Sequence, residues 1–327
     1  MSTFNAAVAE HFCAHHGIAS TVELSALGVG RQQRRHLIEV GVLIALFEGV
    51  YRLASSPLTF HGRCRAVCLA DSSLTLSCCT SGTLLALRRC GSPWIHASTS
   101  RLTKPVGPAV KVHRTRLDLS EHTLHRDDGI RHTDAVQTYF DLAKHVDDLT
   151  LRSIGEQIIA DGLAGHEELM TYSMSVAAKG RPGSARALRV IGSRSGRGGA
   201  ADSHGEVVLF EALHAAGLTE FERHPPVRLR SGEVVHPDMG APAVDFYIEV
   251  DHHTWHTQSA DVEYDKWRDR EVRLIGGEVE RVPTSQIETS LPTVVADLAL
   301  RYRQRQTQSR RSGAVEPHSN ANFHPPC

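Results

Sequence analysis

What is scarce in this chain narrows its class before any motif is read. Its seven cysteines, Cys13, Cys64, Cys68, Cys78, Cys79, Cys90 and Cys327, are odd in number, and none is paired at Cys-x-x-Cys spacing. Neither a disulfide framework nor a structural zinc knuckle is expected, and a reducing compartment fits. No apolar run approaches the roughly 18 residues that a membrane span needs. The start, "MSTFNAAVAEHFCAHHG", has no basic segment leading into an apolar core. The expectation is a soluble, cytoplasmic chain with no membrane partner. Neither charge sign prevails, since 36 Lys and Arg face 37 Asp and Glu for a net charge of −1. That balance argues against a protein that coats nucleic acid with its whole surface, yet it allows a basic face opposite an acidic pocket. Internal repeats are lacking as well.

A chain of 327 residues is too long for one ordinary core, so two or three domains are expected. The pattern of elements reads as a multidomain protein of the α/β or α+β class. Residues 1–70 form a first domain, 71–192 a mixed α/β connecting region, and 193–203 a small, glycine-rich linker, "SRSGRGGAADS". Residues 204–305 form a second αβ domain, and 306–327 a polar tail expected to be disordered.

Within the first domain, Ser20 and Glu23 have capping-box spacing, which starts a short helix that stops at Gly28. A second helix should run from Arg31 to Val40 and end at Gly41. Two apolar β-like runs, "VLIALF" and "VYRLA", follow and are joined at Glu48-Gly49, a plausible hairpin turn. Helix, turn, helix and hairpin give the outline of a winged helix. On the second helix Arg31, Arg34 and Arg35 fall at i, i+3 and i+4 and share one face, while Leu37 and Ile38 turn to a core. Such a face is either solvated or a DNA reader, for which Arg31, Gln32, Arg34 and Arg35 have suitable side chains. The stretch "GIASTVELSALGVGRQQRRHLIEVGVLIALFEGVYRL" resembles the N-terminal winged-helix domain of AbiEi-type antitoxins and related regulators. The resemblance covers about forty residues, continues more loosely through "RDDGIRHTDAVQTYFDLA", and implies double-stranded DNA as a partner. A homodimer and a toxin or other regulatory partner are compatible with it. From 71 to 192, extended pieces near "WIHAST" and "AVKVHRT" precede helices near 134–146, 148–161, 165–179 and 182–192, with no chemistry to be identified.

The second domain opens with a helix at 204–216, then strands near 226–230, 234–239 and 244–251, a helix at 260–275, a strand at 278–282 and a helix at 287–305. The stretch "VHPDMGAPAVDFYIEVDHHTWH" lays acids and imidazoles along β-structure. It is a solvated sheet edge, a pair of salt-bridged strands, or a cation site. A turn at Gly240, Ala241 and Pro242 is expected to bring Asp238 beside Glu249. Strand alternation puts Asp245, Tyr247, Glu249 and Asp251 on one face, with Val244, Phe246, Ile248 and Val250 on the other. Two carboxylates about 4 Å apart repel by about 4 kcal/mol at an effective dielectric near 20, so they want a cation or a shared proton. Oxygen ligands of this hardness favour Mg²⁺ or Mn²⁺, whose natural chemistry here is phosphodiester hydrolysis.

Pro237-Asp238, ten residues, and Glu249-Val250-Asp251 resemble the PD-(D/E)XK nuclease superfamily. "EVDHHTWH" and "YDKWRDREVRLIGGEVERV" resemble its branch related to very-short-patch-repair endonucleases, over roughly residues 203–300. This implies a restriction-endonuclease-like domain with Asp238 and Glu249 as metal ligands and the Val250 carbonyl as a third oxygen. The resemblance also implies a glutamate at Glu206 that approaches the metal, although Ser203 and Glu206 equally have capping-box spacing. The superfamily's lysine position holds Asp251, so its catalytic tasks pass to another group, first His256 and second Lys266. His252 and His253 read as incidental, and the zinc of the repair endonucleases is not carried over. Asp265, Arg268 and Asp269 read as helix surface pairs. Two functions stand: a metal-dependent DNA endonuclease, or a non-catalytic DNA-binding regulator that keeps an inactive nuclease fold.

Overall fold

The computed structural model describes residues 6–101, 107, 109–193, 203–251 and 259–313, the last stretch with side chains from 266 to 310. The chain is a mixed α/β protein with several mixed sheets, and it divides into two compact units, Met1–Arg194 and Ser195–Cys327.

The first unit begins with α1 (Ala6–Ala14), β1 (Ile18–Ser20), α2 (Thr21–Ala26), α3 (Arg31–Glu39), β2 (Leu43–Phe47) and β3 (Val50–Leu53). The capping box forms in both directions: Ser20 Oγ accepts from the Glu23 amide, and Glu23 Oε2 accepts from the Ser20 amide. Gly49, at φ +71°, supplies the left-handed residue that closes the β2–β3 hairpin. The three strands pair antiparallel in the order β1-β3-β2. Val8, Phe12, Ala19, Leu24 and Leu43 form the core beneath them, with Leu37 at its edge.

The chain continues through α4 (Phe60–Ala70), β4 (Thr75–Leu76), α5 (Cys78–Leu84), β5 (Ile95–Thr99), β6 (Val110–Arg114), β7 (Thr123–His125) and β8 (Arg131–Thr133). These strands form a mixed sheet in the order β6-β5-β4-β8-β7. Four helices follow, α6 (Ala135–Leu142), α7 (Asp148–Ala160), α8 (His166–Val176) and α9 (Ser184–Gly192), close to the expected positions. Asp134 and Asp147 cap the first two through the Gln137 and Thr150 amides. Tyr139, Leu142, Ile154, Leu169 and Ile191 fill the core between the helices.

The expected boundary near residue 70 falls inside this unit, because α4 packs against β1 and β3 on one side and β4 and β5 on the other. Arg65 of α4 is 2% exposed. Its guanidinium donates to Glu23 Oε1 at 2.5 Å, to the Ile18 carbonyl at 3.4 Å and to the Asp128 carbonyl. One buried side chain thus joins the cap of α2, the strand β1 and the loop before β8.

The second unit runs α10 (His204–Ala215), β9 (Glu222–Arg223), β10 (Val227–Arg228), β11 (Val234–Val235), β12 (Met239–Ala241), β13 (Phe246–Asp251), α11 (Ser259–Leu274), β14 (Glu278–Pro283) and α12 (Thr284–Gly313). β14, β13, β12 and β9 form one sheet in that order. β13 and β14 are parallel, as a helical crossover through α11 permits, and the other pairs are antiparallel. α12 breaks at Ser290, whose φ of −144° is non-helical, two residues before Pro292. Proline lacks the amide that a helix interior needs and is accommodated in a first turn. The helix then continues to Gly313, past the position 306 at which a disordered tail was expected. Residues 314–327 of that tail lie outside the described residues.

Phe246, Ile248 and Val250 of β13 pack against Leu209, Phe210 and Leu213 of α10 and Leu298 and Tyr302 of α12. On the opposite side Tyr247 packs with Val227, Leu229, Val235 and Val272. β13 is therefore covered on both faces, as a strand with a parallel neighbour usually is. The expected four-residue acidic face is shorter than alternation suggested. Asp245 sits before the strand in the left-handed region, φ +52°, and its carbonyl accepts from the Glu278 amide at 2.8 Å. The turn is displaced as well: Gly240 and Ala241 lie in β12, and a 3₁₀ turn at Pro242–Val244 makes the connection.

Candidate functional site

The β12–β13 ladder sets Met239 opposite Ile248, and one step further along it Asp238 stands opposite Glu249. Directly opposed residues project to the same face of a sheet, here the face away from the Phe246 and Tyr302 core. The Val250 amide donates to Asp238 Oδ2 at 2.7 Å, which fixes that carboxylate against the β13 backbone. A third acid comes from α10. Ser203 Oγ caps the helix by accepting from the Glu206 amide at 3.1 Å. The Glu206 side chain is itself buried, 3% exposed, with Oε2 3.7 Å from His224 Nε2. Capping and an inward carboxylate, alternatives on the sequence alone, coexist because the cap uses the amide of Glu206 and leaves its side chain to the site.

The electrostatics of these groups follow from desolvation and from their own repulsion. Burial, then the charge of Glu206, pushes Asp238 up to about 6 against the help of the Val250 amide. Burial, then the charge of Asp238, pushes Glu249 up to about 8. That rise persists although Arg268 of α11 stands 2.8 Å from Glu249 Oε1. A second guanidinium, Arg281, is adjacent to Glu249 in the β14 register. It is already engaged, at 2.8 and 3.0 Å with Asp269 and 2.7 Å with Asp251. Asp251 is thus neutralised away from the acids. Arg268 and, at longer range, Arg281 and His224 lower the charge cost at these acids without bringing Asp238 or Glu249 back to the ordinary carboxyl range.

Several sequence expectations change at this site. Lys266 is exposed on α11, and the basic side chain of that helix that reaches the acids is Arg268. Arg268 and Asp269 are therefore site and sheet contacts rather than surface pairs, and Asp269 is 7% exposed. His252, His253 and His256 lie outside the described residues. Val250 enters through its amide, which holds Asp238. His224 carries no signal in the sequence. It stands at a left-handed φ of +46°, donates its amide to the Asp238 carbonyl at 3.2 Å, and keeps Nε2 buried without a hydrogen-bond partner among the described residues. No local period marks such a residue, because it reaches the acids through the β9–β12 pairing.

On α3 the side chains of Arg31, Gln32 and Arg35 are exposed, and Arg35 pairs with Glu39 at 2.9 Å. Arg34 departs from the expected face. It is 9% exposed and donates to the Val29 carbonyl at 2.6 Å and Ser25 Oγ at 2.9 Å, so it ties α3 to the end of α2. Ile38, expected in the core, is 38% exposed. The middle region, which showed no chemistry as sequence, brings Cys78, His96, His113 and His145 together with their ligand atoms all within 4.8 Å of one another. Separations of 18, 17 and 32 residues match no metal-ligand spacing, so only the fold makes this set visible.

Among the described residues no helix is long and apolar enough to cross a membrane. No family model matches the chain, and no curated protein matches it either. A solved structure, the RV2827C protein from Mycobacterium tuberculosis, is similar at 18% identity with a TM-score of 0.39, covering 54% of this chain and 72% of that one.

Proposed function

We propose that this chain is a DNA-binding protein whose second unit hydrolyses DNA phosphodiester bonds with Mg²⁺ or Mn²⁺. One observation carries the reading: Asp238 is buried where its charge is opposed by that of Glu206 of α10 and in turn opposes that of Glu249 of β13. Folding that assembles such a group costs stability unless a cation or protons compensate it. The order of elements and the placement of the acids on α10, β12 and β13 suit the PD-(D/E)XK resemblance. The donors are hard oxygens, so they fit magnesium or manganese, and a partial set of carboxylates suits an ion that keeps much of its water. When bound, that ion supplies Lewis acidity toward a phosphodiester and its attacking water. Glu206, Asp238 and Glu249 would hold it. Arg268, 2.8 Å from Glu249, would take the charge-neutralising part of the absent lysine. His224 Nε2, buried 3.7 Å from Glu206 Oε2, is placed to move a proton. Supercoiled plasmid incubated with the purified chain and Mg²⁺ should be nicked, and omission of the metal should prevent it. Intact, folded protein that leaves plasmid closed with both Mg²⁺ and Mn²⁺ would remove the enzyme.

The first unit supplies DNA affinity through an AbiEi-like winged helix, with Arg31, Gln32 and Arg35 on the exposed face of α3. Changing Arg31 and Arg35 together to alanine should weaken binding to duplex DNA and reduce its log-log salt slope by about 1.8, at about 0.9 for each phosphate no longer neutralised. Arg34→Ala should instead lower the melting temperature, since it orphans the Val29 carbonyl. Filter binding over a salt series separates the two outcomes, and an unchanged slope in the double variant would take α3 off the DNA.

A second reading is favoured by Arg268 and Asp251. A guanidinium already bonded to Glu249, and an acid where the lysine belongs, describe a regulator that keeps a nuclease fold without turnover. Sequence-specific DNA binding with no Mg²⁺ or Mn²⁺ uptake in calorimetry would select it.

A further inference from the structure

We infer that Cys78, His96, His113 and His145 form a binding site for a borderline-soft transition cation of the zinc class, separate from the acidic group. The four donors come from different places in the fold: the first residue of α5, the strands β5 and β6, and the turn between α6 and α7. Three imidazoles and a thiol, with no carboxylate in the set, select Zn²⁺ or Co²⁺ over Mg²⁺. A tetrahedral zinc with nitrogens at about 2.0–2.1 Å brings its ligand atoms to within roughly 3.3–3.8 Å of one another. The set, all within 4.8 Å, reaches that geometry when its longer separations contract slightly and the 2.8 Å His96–His113 pair opens by about half an ångström.

Its details resemble a prepared site more than a histidine stack that merely packs. His96 Nδ1 and His113 Nε2 are 2.8 Å apart, a separation at which the pair holds at most one proton between them. The His96 ring is oriented from behind by Ser92 Oγ, 3.1 Å from Nε2, which leaves Nδ1 directed at the cluster. His145 closes the third side, its ring 5.7 Å from that of His96 and 5.4 Å from that of His113. Cys78 adopts φ +51°, a conformation that costs a non-glycine residue energy and that recurs at ligand sites. Ser77 Oγ donates toward its sulfur at 3.8 Å.

The nearby cations are engaged elsewhere: Lys144 pairs with Asp141 at 3.7 Å, and Lys111 lies 4.8 Å over the Trp94 ring. His113 and His145 also line a cleft of about 670 Å³ with Arg114, Arg116, Lys144 and Lys179. The open side of the site therefore meets basic side chains, which suit an anionic ligand beside the metal.

Cobalt is the probe. The full-length chain is stripped of metal with a chelator, dialysed under reducing conditions, and titrated with Co²⁺. One equivalent should produce the visible bands of four-coordinate cobalt and a near-ultraviolet thiolate-to-cobalt band, both erased by Zn²⁺. Cys78→Ser should lose the thiolate band, and Cys79→Ser and Asp238→Asn should keep it. The Asp238→Asn protein thus separates this site from the acidic one. His145 is exposed, so His145→Ala should fold and bind cobalt at least about tenfold more weakly, which decides the matter should Cys78→Ser fail to fold. No band at one equivalent, a thiolate band that survives Cys78→Ser, or His145→Ala binding as tightly as the parent would overturn the site.

Discussion

Asparagine in place of Asp238 is expected to lower Mg²⁺-dependent plasmid nicking on the order of 10³-fold, which corresponds to about 4 kcal/mol of transition-state stabilisation. The substitution preserves shape, and the amide oxygen of the new side chain can still accept from Val250. What it removes is the negative charge that Glu206 and Glu249 both oppose when no cation is bound. Loss of activity without loss of fold is therefore the expected pattern, and the metal-free variant should be more stable than the parent, not less. Lys266→Ala is the matching control: the residue is exposed, and nicking should stay within about twofold, as for surface substitutions generally. Equal cutting by the Asp238→Asn protein would mean that the activity belongs elsewhere, and a large loss at Lys266 would return the lysine's task to that residue.

Arg65→Ala is expected to cost about 3–5 kcal/mol of stability, the range for breaking a buried ion pair from one side. Three acceptors lose their donor together, namely the Glu23 carboxylate and the carbonyls of Ile18 and Asp128. Glu23 also serves the capping box of α2, so the damage should spread to the helix that precedes α3. Lysine should not rescue the site, because a single ammonium cannot satisfy acceptors that a planar guanidinium spans. Gly129 adds a second handle: it stands at φ +77°, and a Cβ there would overlap Arg65 Nη1, so Gly129→Ala should be destabilising for the same reason. Urea unfolding measures both. A cost below about 1 kcal/mol for Arg65→Ala would mean that the guanidinium's surroundings reorganise and that α4 does not unite this unit.

Local chemistry was legible in the sequence, and long-range chemistry was not. The Ser20–Glu23 capping box, α3 from Arg31, the Glu48-Gly49 hairpin and the succession from α10 to β14 all follow from caps, glycines and hydrophobic period. Those signals act within a few residues, so the sequence carries them in order. Arg34 shows where this stops. Its i, i+3 spacing to Arg31 is that of a basic face, yet the end of α2 offers it a carbonyl and a hydroxyl, and the side chain turns inward. Asp245 shows the same limit in a strand, since the parallel pairing with β14 begins one residue later and leaves it left-handed. The five-stranded sheet depends on partners far apart, such as Leu76 with His132. The Cys78 and histidine set inherits that dispersion, and the contacts of His224 and Arg268 with the acids depend on β9–β12 pairing and on the crossover helix.

The nearness of Asp238 and Glu249 was legible, because a short connection brings consecutive strands together. The arginines that balance these acids were not. Arg281 comes from a strand beyond α11, and it neutralises Asp251 and Asp269 only once β14 lies beside β13.

The central claim, that Glu206, Asp238 and Glu249 hold a divalent cation, is tested most directly by the free energy of unfolding against pH, with and without Mg²⁺. Asp238 and Glu249 have folded values raised to about 6 and about 8. Between the ordinary carboxyl range and those values the folded chain holds more protons than the unfolded one. Stability contributed by these groups therefore falls as pH rises from about 4 to about 8. A shift of about two units in one group corresponds to on the order of 3 kcal/mol. Without Mg²⁺ the parent should lose stability on that scale across the window, while Asp238→Asn loses much less. With Mg²⁺ the parent should keep its stability to pH 8, and the variant should gain nothing. A parent profile that is the same with and without Mg²⁺, at millimolar concentration, would contradict the cation site.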